Sequence, residues 1–139
     1  AGELLNGAGR RAEPGPYRLQ AAIAAVHATA ESAAATDWQT IVALYDRLLT
    51  VTPSPIVELN RAVAVGMASG PEVGLAALER VAASGALDGY YLLPAARADL
   101  FRRLGDYSKA AAFYRVALAG APTQPERDFF ARRLDEVGG

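Results

Sequence analysis

Residues 91–122, YLLPAARADLFRRLGDYSKAAAFYRVALAGAP, restrict the fold more than any other stretch of the chain. They read as two helices joined by a tight turn at Gly105-Asp106. On the second helix Ala110, Tyr114 and Ala117 recur at i, i+4 and i+7, which sets them on one face. On the first, Ala98 and Phe101 are three apart and face back toward that stripe. Small residues at 98, 110 and 117 let two helix backbones approach closely, while Phe101 and Tyr114 fill the space beside them. Pro122 closes the unit, because proline cannot continue a helix.

The rest of the chain repeats the design. Second-helix anchors fall at Ile41, Tyr45, Leu48, then Gly74, Leu78, Val81, then Ala110, Tyr114, Ala117. The spacing within each set is the same, and the sets are 33 and 36 residues apart. First helices align as Gln20-Ala21-Ala22-Ile23, Asn60-Arg61-Ala62-Val63 and Ala96-Arg97-Ala98-Asp99. This is the pattern of a tetratricopeptide repeat, an antiparallel helix pair of about 34 residues. Prolines close the first and third units at Pro53 and Pro122, and Ser84-Gly85 closes the second. The first unit departs from the pattern through about seven extra residues between its helices.

Punctuation supplies the boundaries. Pro16 suits a first helical turn, and Asp37 or Thr36 caps the helix that starts at Trp38. Ser54-Pro55 is a capping residue followed by proline at the first helical position, and Ser69-Gly70-Pro71 is a turn. Thr123-x-x-Glu126 is a capping box before a last helix through Phe129, Phe130, Leu134 and Val137. The expected architecture is all-α: antiparallel helix pairs stacked as a short, right-handed, TPR-like superhelix. Three irregular repeats occupy 16–53, 54–85 and 90–122, and a capping helix covers 123–137 with its charged side toward solvent. Residues 1–15 read as the end of a preceding helix and a linker, with a breaker cluster at Glu13-Pro14-Gly15-Pro16. A chain that opens in mid-helix is expected to be a segment of a longer protein.

Of the 139 residues, 52% are hydrophobic, much of that alanine, which favours close-packed helices. Fourteen basic residues face fifteen acidic ones, so no nucleic-acid surface is indicated. Lys109 is the only lysine, a usage that with abundant alanine points to a GC-rich bacterial genome. Without cysteine there are no disulfides and no zinc sites of the cysteine type. No apolar run reaches the roughly 18 residues of a membrane span, and no signal peptide is apparent. The chain thus reads as a cytoplasmic helical domain with no membrane partner.

Groups for catalysis are sparse. His27 is the only histidine, so it has no second imidazole or thiolate to complete a metal site, and a structural or interface role suits it better. No glycine-rich loop follows a strand, and the chain is not expected to be an enzyme or to need a cofactor. The informative polar residues are those on otherwise apolar first helices: Gln20, Asn60, Arg61 and Arg97. Arg61 and Arg97 occupy equivalent places in successive repeats. Either they bridge helices through carbonyls or a carboxylate such as Glu58, Asp46 or Asp99, or they line the concave side and hold an acidic or main-chain ligand. Tyr90 and Tyr91, with Leu92 and Leu93, serve either as core or as an exposed partner-binding edge. Arg102-Arg103 reads as a solvated face or a contact for an acidic partner, and Trp38 as a packing anchor.

Four segments together carry a more specific likeness: GPYRLQAAIAAVHA (15–28), TDWQTIVALYDRLL (36–49), SPIVELNRAVAV (54–65) and GYYLLPAARADLFRRLG (89–105). In order and content they resemble the TPR-like C-terminal extension of extracytoplasmic-function (group IV) RNA polymerase sigma factors. The likeness runs from about Gly15 to Val137. It implies a parent protein that acts in transcription initiation, with promoter-binding domains ahead of this extension. Those domains are not in this stretch, so DNA would be reached only through them. The resemblance further implies a regulatory or activity-supporting module in contact with its own sigma domains, the linker between them, or core RNA polymerase. Gln20, His27, Asn60, Arg61 and Arg97 belong to the matching motifs. The competing reading is a freestanding TPR adaptor that binds a peptide in its concave groove.

Overall fold

The computed structural model describes residues 15–29 and 36–139, among which there are seven helices. They are α1 (Pro16–Thr29), α2 (Trp38–Val51), α3 (Pro55–Ser69), α4 (Pro71–Ala82), α5 (Leu92–Leu104), α6 (Tyr107–Gly120) and α7 (Gln124–Glu136). The proposed end of a preceding helix at residues 1–14 and most of the connector before Asp37 lie outside the described residues.

Four helices, α2, α3, α6 and α7, start at a side chain that caps them. Asp37 accepts from the Thr40 N–H at 3.1 Å and from its hydroxyl at 2.7 Å, so Asp37 rather than Thr36 is the cap of α2. Ser54 caps α3 with Pro55 at its first position. A single residue, Gly70, ends α3 and begins α4, and its φ of 110° is one that a side chain would resist. Gly105 closes α5 in the left-handed region, with the Asp106 N–H reaching back to the Phe101 carbonyl at 2.9 Å. Asp106 then caps α6 by accepting from the Lys109 N–H. At α7, Thr123 accepts from the Glu126 N–H, but the return bond differs from a capping box. The threonine hydroxyl itself donates to the Glu126 carboxylate at 2.6 Å.

Every helix packs on its successor, and α3 also touches α5, so the first helices of the second and third units are neighbours. This is an all-α, repeat-like fold of stacked helix pairs. The core is continuous across unit boundaries. Leu19 of α1, Leu48 of α2 and Val57 of α3 share one cluster, and Ile23, Ile41 and Ala64 a second. A third joins Leu59 and Ala62 of α3 to Leu78 of α4 and to Leu93 and Leu100 of α5. In the last, Ala98, Ala110 and Ala117 bring α5 and α6 together around Tyr114, and Phe130 of α7 closes it. The small-residue stripe thus works as the sequence suggested: all three alanines are fully buried beside a tyrosine that is 1% exposed.

Successive units are also tied by charge. Arg61 of α3 donates from Nε to Asp46 of α2 at 2.5 Å. Arg97 of α5 donates twice to Glu79 of α4, at 2.8 and 2.9 Å, with its guanidinium 5.5 Å from the Phe113 ring centroid. Asp46 and Glu79 each follow the central anchor of their second helix, Tyr45 and Leu78, so both pairs occupy one repeat position.

Candidate functional site

The residues singled out in the sequence occupy separate surfaces. Arg61 lies in a charged cleft with Asp46, Glu58 and Arg80. Tyr90, Tyr91 and Arg97 line a second depression of about 550 Å³ with Phe113 and Val116. Asn60 lines a third, an apolar groove of about 470 Å³ across α3, α5 and α7. Gln20 is exposed on α1. His27 belongs to the same helix, and its side chain lies outside the described residues. The fold therefore does not gather these seven residues into one site.

Both arginines have intramolecular carboxylate partners, the bridging arrangement of the two weighed above. Asp46 was among the partners expected. Glu79 replaces Asp99 as the partner of Arg97, because residues two apart on a helix point to different faces. Asp99 instead accepts from Arg102 at 2.5 Å and Arg103 at 2.9 Å, three and four residues on. Burial works against its ionisation, but the bonds from Arg103 and Arg102 outweigh burial and hold the carboxyl below its ordinary value. The Arg102-Arg103 pair is thus spent largely within its own helix, and Arg102 also reaches the Tyr114 hydroxyl at 3.2 Å.

The groove is the most site-like of the three surfaces. Leu59, Asn60 and Val63 of α3 and Leu92, Ala95, Ala96 and Asp99 of α5 form its floor. Tyr114 of α6 underlies it, and Pro125, Glu126, Phe129 and Phe130 of α7 form one wall. Phe130 is buried, whereas Phe129 is 42% exposed and stands edge-on to it at 5.6 Å between centroids. Glu126 accepts from the Thr123 hydroxyl and from the Tyr91 hydroxyl, and both bonds hold its carboxyl below the ordinary range. The same bond, from the other side, pushes the Tyr91 phenol up to about 12. Tyr91 therefore latches the entrance of α5 to the first turn of α7 and fixes the groove wall. Val63 is shared with a smaller pocket of about 240 Å³ walled by Trp38, Ile41 and Tyr45, as is Asn60.

Asn60 alone among the sequence candidates falls in this groove. Val63, Ala95, Glu126 and Phe129 were missed as groove residues, since their meeting depends on how α3, α5 and α7 pack. The usable signal was the Phe129-Phe130 pair: adjacent residues on an amphipathic helix cannot both be centred on its core face. Among the described residues no group of three or more His, Asp or Glu side chains is arranged to hold a metal, and no helix is long and apolar enough to cross a membrane.

An uncharacterized protein of Rhizobium meliloti (strain 1021) is 40% identical to this chain over 134 residues, covering 96% of the chain and 31% of that protein. The chain thus spans less than a third of the length of this relative. No protein-family model matches the chain, and no solved structure matches it.

Proposed function

We propose that this chain is the regulatory C-terminal interaction module of a sigma factor and works by binding, in transcription initiation in the bacterial cytoplasm. The observation that carries a binding role is the open apolar groove across α3, α5 and α7. An apolar surface with few polar groups, on stacked helix pairs, suits docking of another protein segment. The assignment to a sigma factor rests on the four sequence segments that resemble the extension of that family. The greater length of the Rhizobium relative agrees with a module carried by a larger protein. The partner is then a sigma domain of the same protein, the linker between its domains, or core RNA polymerase. An adaptor that clamps a peptide carboxylate with Arg61 and Arg97 is less favoured, because both guanidiniums already hold carboxylates.

The test is retention of the sigma domains and, separately, of core polymerase on the immobilised chain. Wild type, Phe129→Asp and Arg97→Ala would be compared after thermal unfolding shows each to be folded. Retention by wild type and Arg97→Ala, but not by Phe129→Asp, is the expected result. No retention by wild type on either bait overturns the assignment.

A further inference from the structure

The groove differs at its two ends. On α7, Glu126, Phe129, Phe130 and Arg133 fall at i, i+3, i+4 and i+7, so one face of the helix runs from a carboxylate to a guanidinium in about 10 Å. On α5, Leu92, Ala95, Asp99 and Arg102 share a face in the same way. The bond from Tyr91 joins the starts of the two helices at Glu126. Toward their ends lies Tyr114, which accepts from Arg102 at 3.2 Å and feels the charge of Arg133. Arg133 stands just past the groove lining, its guanidinium 5.1 Å from the centroid of the Phe129 ring.

Two donors at this end lack an acceptor. Tyr114 is 1% exposed, and among the described residues its own O–H donates to no group. The Arg133 Nε is buried and unbonded, although Nη1 of the same group reaches Glu136 at 2.9 Å. Buried donors are almost always bonded, so an unmet one marks a place for an acceptor. The core does not ask for the hydroxyl, since Leu78 fills the same anchor of the second unit at 0% exposure without one. Burial raises the Tyr114 phenol above its ordinary value, which keeps its proton available to donate. Charge points the same way. Arg102, Arg103 and Arg133 pair with only two carboxylates, Asp99 and Glu136, which leaves one positive charge in excess.

We propose that the groove binds a small amphipathic carboxylate, with its chain along Leu92, Ala95 and Phe129 and its carboxylate received by Tyr114 and Arg133. The apolar lining and a volume of about 470 Å³ suit a small molecule with one polar end. A single negative charge matches the single excess positive one. The reverse orientation would bring the carboxylate to Glu126, which repels it. This assigns a second ligand to the groove of the proposed function and rests on that groove being a binding surface, not on the sigma-factor assignment.

The experiment is isothermal titration of octanoate into the chain, with octanol, octylamine and acetate as comparisons. Octanoate should bind at one site, octanol at least about tenfold more weakly, and octylamine and acetate not at all. Tyr114→Phe and Arg133→Gln, each checked for folding by thermal unfolding, should weaken octanoate about tenfold, the worth of one hydrogen bond to a charged group. Arg133→Gln should also flatten the salt dependence of binding. Absence of octanoate binding, octylamine binding as tightly as octanoate, or an affinity of either folded variant within about twofold of wild type overturns the proposal. Because no protein partner enters the titration, that result leaves retention of the sigma domains, the test of the proposed function, untouched.

Discussion

Gly66 of α3 and Gly74 of α4 cross so closely that a Cβ on Gly74 would stand 2.5 Å from the Gly66 Cα. The same carbon would lie 2.9 Å from the Gly66 nitrogen and 3.2 Å from the Ala62 carbonyl, all of it backbone that cannot rotate away. A Cβ on Gly66 instead meets Leu100 Cδ2 at 2.5 Å, the end of a side chain that can shift. Gly74→Ala should therefore destabilise by about 2 kcal/mol, despite gaining about 1 kcal/mol of helix propensity. For Gly66→Ala the same gain leaves a net change within about 1 kcal/mol of zero. Urea unfolding of both variants checks the order, and equal losses would mean the helices can separate freely.

Removal of the Arg97 guanidinium should cost about 1 kcal/mol, since it ends a two-point bond to Glu79 and a contact with the Phe113 face. Arg61→Ala, with one bond to a half-exposed Asp46, should cost less. Lysine should not rescue position 97, because an ammonium cannot reproduce the fork. Thermal melts at low and at 1 M salt separate the charge contribution, which salt weakens, from the ring contact.

Acid should destabilise the chain through Asp99 and Glu79. Both carboxyls lie below their ordinary values in the folded state, Asp99 through Arg103 and Arg102 against burial, Glu79 mainly through its hydrogen bond from Arg97. A depressed folded pKa gives stability that is present above the unfolded value, about 4, and is lost as pH falls through the folded one. Unfolding free energies measured between pH 6 and pH 3 should thus decline below about pH 4, and less steeply in Asp99→Asn. A decline unchanged by Asp99→Asn would assign it to other carboxyls.

The Tyr91 phenol should ionise near pH 12, because its hydroxyl donates to Glu126. Stability from this bond is present below the unfolded tyrosine value, about 10, and is lost as pH rises through the folded one. Spectrophotometric titration of Glu126→Ala should move that step down toward about 10. If the step stays in place, something other than the carboxylate holds the phenol.

The helices were legible because their ends are written in local chemistry. Asp37, Ser54-Pro55, Gly105-Asp106 and Thr123 each act within four residues of themselves. The alanine stripe at 98, 110 and 117 was legible for a related reason: helical spacing fixes which residues share a face. What spacing does not fix is the partner across an interface. Glu79 as the holder of Arg97 and Glu126 as the acceptor for Tyr91 lie 18 and 35 residues away. The groove was less legible still, since it exists only where three helices from separate stretches converge, and of its lining only Asn60 and Leu92 were read as possible partner contacts.

The charge order along the stack limits how far it can grow. The position that carries Asp46 in the first unit and Glu79 in the second carries Arg115 in the third. A further first helix bearing the arginine of α3 and α5 would there meet its own sign. At the other end, the residue aligned with Arg61 and Arg97 is Ala21, which offers no cation to an acidic second helix. Arg115 and Ala21 thus break the arginine–carboxylate alternation that joins the units between them, and the pairing is confined to the two junctions inside the stack.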